Sequence, residues 1–311
     1  MSQILTVFGA TGQQGGSVID FVLNNPELYR KYKLRAITRD PDSEKSQQLK
    51  SRNIEVVRGD VTDRSSLNDA LTGTHIVFLV TVPDFGPNAL QTEFESAKNV
   101  VDLSLQKGVQ HIIFSSLPSI SDISGGRYTK VTMFDAKARV ESYIRSLPIK
   151  STFYSPGSFM DNYITVASPR KASDESNTYI MALHISPQTR VPLVDAGGDT
   201  GKFIGAILTS PDKYNGQVIC GAERLYSLEE IAHTIGRATG KEVVYRQISA
   251  EEYEASVPFG GDVLVQTMSY FEEFGYYGAD TERLVASATR DTKGRLTTFE
   301  EFLTKRPLKL A

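Results

Sequence analysis

The 311-residue chain has few of the residues on which disulfide and metal chemistry depend. Cys220 is the only cysteine, which excludes an intramolecular disulfide and a zinc site built from cysteines. The four histidines are scattered without the spacing of metal ligands, at His75, His111, His184 and His233. We therefore expect no bound metal. We also expect His111, which precedes an apolar run, at the surface or at a helix end.

The charge and the hydropathy of the chain exclude two kinds of partner. Thirty-four basic and 37 acidic residues give a net charge of −3, and no long run of lysine or arginine marks a surface for nucleic-acid phosphates. No stretch approaches the ~18 apolar residues of a membrane span, and the N-terminus has no basic leader. We expect a soluble cytoplasmic protein, or a nuclear one if it is regulatory, that contacts neither nucleic acid nor membrane.

The first half of the chain alternates short apolar runs with longer amphipathic segments. Continuous apolar strands separated by helices are typical of a parallel sheet that is buried on both faces. The sequence therefore predicts a doubly wound α/β fold. The six predicted strands are Ile4–Phe8, Leu34–Thr38, Ile54–Val57, Ile76–Val82, Ile112–Ser115 and Lys150–Tyr154.

The alternation becomes less regular after Pro156, and no linker separates the two halves. We predict a larger domain over residues 1–155 and a smaller lobe over 156–311 that packs directly against it. A cleft between the two would be the place for a ligand, since ligands of open α/β sheets bind in such clefts.

A glycine-rich loop follows the first predicted strand directly and opens a helix, as a dinucleotide-binding loop does. Glycines let the backbone approach a pyrophosphate closely, and the helix N-terminus offers free N–H groups and a positive dipole end. The alternative is a tight turn with no ligand. The residues of this loop are Gly9, Ala10, Thr11, Gly12, Gln13, Gln14 and Gly15, followed by Gly16.

Two further positions bear on the nucleotide. Arg39 comes directly after the second strand, where an arginine accommodates the 2′-phosphate of NADP, whereas Asp40 falls one residue later, before Pro41. This order favours NADP(H), unless Arg39 is a solvated loop charge. Asp60 follows the third strand, and it could bind the adenine amino group or cap the next helix.

These residues and others further along resemble the NmrA-like family of atypical short-chain dehydrogenases/reductases, in a fungal-type member, over essentially the whole chain. The segments that carry the resemblance are Phe8–Val18, Thr38–Arg39, Gly59–Asp60, Phe134–Lys137, Pro156–Asn162 and Asp199–Phe203.

The resemblance implies a Rossmann-type NADP-binding domain with a small α/β C-terminal lobe. It implies that residues 9–14 cradle the phosphates and that Arg39 meets the 2′-phosphate. The other implied contacts are Asp60 and Val61 beside adenine, Thr81 and Val82 beyond the fourth strand, and Lys137, Phe159 and Asn162 near the nicotinamide.

Typical short-chain dehydrogenases carry Tyr-x-x-x-Lys where this chain has Met133 and Lys137, and that spacing places both side chains on one helix face. Met133 cannot donate a proton to a carbonyl, and Tyr128 lies too far from Lys137 in sequence to replace the missing tyrosine directly. We expect Lys137 to hold the nicotinamide ribose as the remaining catalytic residue. The alternative is an exposed helix lysine.

Two functions remain open. The preferred one is an NADPH-dependent reductase of a conjugated, quinoid or imine compound, as in fungal secondary metabolism, with a small apolar or aromatic substrate in the cleft. The alternative is a non-catalytic redox sensor or transcriptional co-regulator that acts through a protein partner. The aromatic residues that could face such a substrate, or else pack in a core, are Phe159, Tyr163, Tyr253, Phe259, Tyr270, Phe274, Tyr276 and Tyr277.

Overall fold

The computed structural model describes residues 2–83, 86, 88–173 and 177–310. Its strands are β1 (Gln3–Val7), β2 (Tyr32–Thr38), β3 (Glu55–Arg58), β4 (Ile76–Leu79), β5 (His111–Ser115), β6 (Lys150–Pro156), β7 (Ser158–Phe159), β8 (Arg170–Lys171), β9 (Thr178–Leu183), β10 (Arg190–Val194), β11 (Val218–Gly221), β12 (Arg224–Ser227) and β13 (Glu242–Gln247). The predicted doubly wound α/β fold is confirmed, since seven of these strands form one parallel sheet in the order β3-β2-β1-β4-β5-β6-β11.

The helices are α1 (Gln13–Asn24), α2 (Pro26–Lys31), α3 (Glu44–Ser51), α4 (Arg64–Leu71), α5 (Ala89–Gln106), α6 (Ile120–Ile123), α7 (Thr132–Arg145), α8 (Ala196–Thr209), α9 (Leu228–Thr239), α10 (Ala250–Ser256), α11 (Gly261–Phe274), α12 (Thr281–Arg290) and α13 (Phe299–Lys305), with a 3-10 turn at Met160–Ile164. Among the described residues, no helix combines the length and the apolar character needed to cross a bilayer.

Helices cover both faces of the large sheet, and this is why the residues of its central strands are mostly apolar and β4 is apolar throughout. On β4, Ile76 and Phe78 pack with α1 and α8, while Val77 and Leu79 pack with α4, α5 and α7. All residues of β4 and β5 are buried. Because β1 lies between β2 and β4, the strand order reverses beside it. In this architecture a ligand crevice forms at the carboxyl ends of the strands around that point.

The smaller lobe contains two three-stranded sheets, β12-β10-β7 and β13-β9-β8, around an aromatic-rich core. Residues 156–311 contribute to the larger body as well as to this lobe, because β11 pairs with β6 in the large sheet and α8 packs on α1. The larger body therefore takes in parts of the chain beyond residue 155, and the division at 155/156 stays a prediction.

Candidate functional site

A cavity of about 530 Å³ lies at the carboxyl ends of the first four strands, within the size range of ligand pockets. Its wall combines backbone of the glycine-rich loop with polar side chains from three loops and one helix. The lining residues are Phe8, Gly9, Thr11, Gly12, Ile37, Thr38, Arg39, Asp40, Ser43, Gly59, Asp60, Val61, Thr62, Val80, Thr81, Val82, Thr92, Glu93 and Ser96.

The glycine-rich loop fits a phosphate at this cavity. Gly9 has a φ of +66°, and a Cβ there would lie 2.5 Å from Val80 Cγ1. A Cβ on Gly15 would lie 2.3 Å from the carbonyl oxygen of Gly9, so Gly15 lets α1 pack against the loop. Gly12 lines the cavity at the start of α1, where no side chain caps the helix and its first turn has no acidic residue. The first N–H groups of α1 therefore suit an anionic ligand.

Arg39 carries a positive charge at the cavity wall just after β2. It is exposed and forms no ion pair with any residue in the described ranges. The carboxylate of Asp40 is engaged in its own turn, since its Oδ1 accepts the N–H of Asp42 at 3.0 Å. Arg39 thus offers a guanidinium without an ion-pair partner to a phosphate, whereas the carboxylate of Asp40 accepts a hydrogen bond within its own turn.

For Asp60 the sequence leaves two functions open, adenine binding and helix capping, and in the structure Asp63 is the residue that caps the helix. Asp63 caps α4 by accepting the N–H of Ser65 at 3.0 Å. Asp60 lies at the cavity wall beside Val61, and its Oδ1 accepts the N–H and the hydroxyl of Thr62 at 2.9 and 2.8 Å. These bonds hold the pKa of Asp60 below its usual value, so it is an anionic acceptor at the wall.

Lys137 is a buried residue of α7, so the interpretation of an exposed helix lysine is wrong. Its Nζ donates to the carbonyl oxygen of Thr81 at 3.1 Å, to Thr81 Oγ1 at 2.7 Å and to Glu93 Oε1 at 2.5 Å. Lys137 is not among the residues that line the cavity, whereas Thr81 and Glu93 are. Lys137 therefore holds two residues of the cavity wall through its hydrogen bonds.

Sequence reasoning missed Glu93, which is only 3% exposed. Glu93 lies on the same face of α5 as Ala89 and Ala97, four residues before and after it, and both of these are buried. A carboxylate in line with buried apolar residues signals a buried partner of opposite charge, because a lone buried charge is too costly. That partner is Lys137, and only the fold reveals the pairing.

The other predicted contacts do not line this cavity. Ala10 is buried, and Gln14 Oε1 accepts a hydrogen bond from Ser115 Oγ at 2.8 Å. Gln13 is exposed at the start of α1. Phe159 packs on the core around α1 and α8, and Asn162 is exposed.

Neither of the two residues that the sequence offers near this part of α7 takes the place of the missing tyrosine as a proton donor. Met133 is partly buried and packs against the core of the smaller lobe. The hydroxyl of Tyr128 donates to Glu273 Oε1 at 2.8 Å, so it is already engaged. Most of the aromatic residues considered for the substrate lie in that core instead, namely Tyr163, Tyr253, Tyr270, Tyr276 and Tyr277, with Phe274 against it, while Phe259 is exposed.

The model of the NmrA-like family matches residues 1–303, nearly the whole chain. The chain belongs to the NmrA-like family. This confirms the resemblance seen in the glycine-rich loop and the later segments.

Three known proteins show how this member compares with others. An NmrA-like family domain-containing oxidoreductase of Cladobotryum, FrzB, is 32% identical over 267 residues, which cover 80% of this chain and 77% of the relative. The structure of NmrA, a negative transcriptional regulator solved with NADP, has a TM-score of 0.79 at 21% identity and covers 99% of this chain and 95% of its own. An NADPH-dependent quinone oxidoreductase of Escherichia coli solved with NADPH has a TM-score of 0.74 at 21% identity, with 97% and 99% covered. At these identities the two structures show a shared fold.

Proposed function

We propose that this NmrA-like protein binds NADP(H) and uses it to reduce a conjugated, quinoid or imine small molecule. The observation that most supports NADP(H) as the cofactor is the position of Arg39. Its unpaired guanidinium lies on the same cavity wall as Gly12, at the uncapped start of α1. One cavity thus offers separate sites for a 2′-phosphate and a pyrophosphate. The similarity to proteins solved with NADP and NADPH supports the same cofactor.

The chain would hold the cofactor with residues already on the cavity wall. Gly9, Thr11 and Gly12 of the glycine-rich loop would bind the pyrophosphate, and Asp60 with Val61 would flank adenine. Thr81 and Val82 would border the ribose and nicotinamide half. NADPH supplies a hydride when it is bound, and the protein supplies position and electrostatic support.

The choice of acceptor follows from the missing proton donor. A simple ketone needs a positioned acid beside its oxygen as the hydride arrives, and neither Met133 nor Tyr128 can serve. A quinone, an enone or an iminium ion spreads or cancels the charge that hydride addition creates, so its reduction depends less on such an acid. The relation to an oxidoreductase and to a quinone oxidoreductase supports this class of acceptor.

A redox sensor is the second candidate, and the absence of a proton donor at Met133 favours it as well. A site that binds NADP(H) without a proton donor at Met133 could report the redox state to a protein partner, as the similarity to a negative transcriptional regulator suggests. The partner of such a sensor can respond to the redox state only if the partner's affinity differs between the NADPH-bound and the NADP⁺-bound protein. The two candidates therefore share the cofactor and differ in turnover.

Equilibrium titration of the purified protein with NADPH, NADP⁺, NADH and NAD⁺ tests the shared part of the proposal. We expect saturable binding of NADPH that is clearly tighter than binding of NADH. Absence of NADPH binding would overturn both candidates.

A further inference from the structure

We propose that Glu93 is a positioning residue of the cofactor site, which keeps Lys137 as a buried ammonium so that Lys137 can fix Thr81 at the cavity wall. This inference rests on the proposed binding of NADP(H). In this arrangement Thr81 lines the cavity, Lys137 holds Thr81, and Glu93 keeps Lys137 charged, whereas the sequence predicts a direct contact between Lys137 and the cofactor.

The hydrogen bonds of Lys137 are fully used inside the protein. An ammonium group has three donors. In this structure they are taken by the carbonyl oxygen of Thr81 at 3.1 Å, Thr81 Oγ1 at 2.7 Å and Glu93 Oε1 at 2.5 Å. The Thr81 hydroxyl in turn donates to Glu93 Oε1 at 2.5 Å, which closes a triangle. No donor remains on Lys137 for a ribose hydroxyl in this arrangement.

The triangle connects the interior with the cavity. Lys137, Thr81 and Glu93 are all buried, and Thr81 and Glu93 are among the residues that line the cavity. Thr81 lies two residues after the end of β4. Two of the three bonds of Lys137 go to Thr81, so the lysine determines where the carbonyl and the hydroxyl of that residue point.

Glu93 is the charged group that keeps this lysine protonated. Burial lowers the pKa of Lys137, and the nearby carboxylate of Glu93 opposes that shift. The other charged groups around it are engaged elsewhere. Glu141, one turn later on α7, accepts from Ser116 and Arg145, and Arg139 stacks over the ring of Phe94. Without Glu93, no other group of the described residues would compensate the charge of the ammonium.

Three variants test the inference. Glu93→Gln keeps the shape of the side chain but removes the charge, so Lys137 should lose its proton at a much lower pH. Glu93→Gln/Lys137→Met removes both charges, which spares the protein a lone buried ion and keeps the test valid if the single variant folds poorly. Glu95→Gln is the matched control, because Glu95 lies on the same helix, is exposed and bonds Gln91.

The measurement is the Kd of NADPH from about pH 6 to about pH 9, with a melting curve at each pH. We expect wild type and Glu95→Gln to bind alike across the range. Glu93→Gln should bind like wild type at the acidic end, where Lys137 is still protonated, and at least about tenfold more weakly at the alkaline end. The double variant should bind about tenfold more weakly at every pH, with no additional pH dependence.

The outcomes separate this inference from the function on which it rests. If wild type fails to bind NADPH, the proposed function and the inference both fail. If wild type binds and the folded Glu93→Gln and double variants bind like it at every pH, only the inference is overturned. A lower melting temperature with unchanged affinity would mean that the pair is structural alone.

Discussion

Arg39 is the residue on which cofactor choice depends most directly. Its guanidinium has no ion-pair partner in the described part of the chain, so a 2′-phosphate would gain a charge-assisted hydrogen bond of about 1.5–3 kcal/mol. We predict that wild type prefers NADPH to NADH by roughly 10–150-fold and that Arg39→Ala loses this preference. Isothermal titration calorimetry measures both affinities. Arg30→Ala, which removes another exposed arginine, is the control, and equal affinity of wild type for both cofactors would contradict the assignment.

His111 affects stability rather than binding, and its predicted place at the surface was wrong. It is 2% exposed, and its Nε2 is 2.9 Å from Thr152 Oγ1. Burial is the main cause that lowers the pKa of His111 to about 4, with a smaller contribution from Lys150, while the unfolded chain titrates near its ordinary value of 6.5. Between these values the unfolded state takes up a proton that the folded state does not bind, so stability falls as the pH falls.

The expected loss of unfolding free energy from His111 is about 2–3 kcal/mol between pH 7 and roughly pH 4.5. Denaturant unfolding at the two pH values measures it in wild type and in His111→Gln. The variant, although less stable at pH 7, should lose less stability on acidification by about that amount. The same pH dependence in both proteins would show that His111 does not carry the effect.

At the scale of elements, α8 and α1 pack so closely that α8 needs glycine at the contact. A Cβ on Gly201 would lie 2.2 Å from the carbonyl oxygen of Ser17, and the N–H of Gly201 donates to Ser17 Oγ at 2.9 Å. We predict that Gly201→Ala lowers the free energy of unfolding by about 1–3 kcal/mol because backbone must move. Gly197→Ala, in the first turn of α8, meets nothing closer than 3.8 Å and should be neutral or stabilising by up to about 1 kcal/mol. Equal destabilisation of the two variants would refute the close-packing argument.

A substitution in the loop before α1 should have the opposite effect, because it should abolish cofactor binding and leave the fold intact. Gly12 lines the cavity in an extended conformation, and an added Cβ would meet only the carbonyl oxygen of Gly9, at 3.3 Å. Gly12→Val should therefore abolish NADPH binding while the cost in stability stays near about 1 kcal/mol. Gly16→Ala, whose Cβ meets nothing closer than 3.7 Å, should bind normally. Retained NADPH affinity in Gly12→Val would show that the loop is a turn without a ligand.

For the whole molecule, the sequence predicts local features better than long-range ones. The six strands and the loop at Gly9 can be predicted from the sequence, because a parallel strand and a phosphate-binding loop each have a local sequence pattern. The addition of β11 to β6 depends on a pairing across more than sixty residues, which no local pattern contains. Glu93 of α5 and Lys137 of α7 lie 44 residues apart in the sequence, so only the fold brings them together.

The two lobes share elements, and the cavity lies in the part that both halves of the chain help to stabilise. Phe203 and Ile204 of α8 pack in the core with Val18 of α1, the helix whose start lies at the cavity. The cofactor site therefore depends on residues from both halves of the chain. We propose that this site serves hydride transfer.

Single-turnover mixing tests that claim most directly. The protein, loaded with NADPH, is mixed with panels of quinones, enones and imines, and the absorbance of NADPH is followed against a buffer blank and against Gly12→Val. We predict oxidation of NADPH clearly faster than in both references with at least one acceptor class, and no such oxidation with simple ketones. Oxidation no faster than the blank with every acceptor, in a protein that binds NADPH tightly, would contradict the reductase and leave the redox sensor as the function.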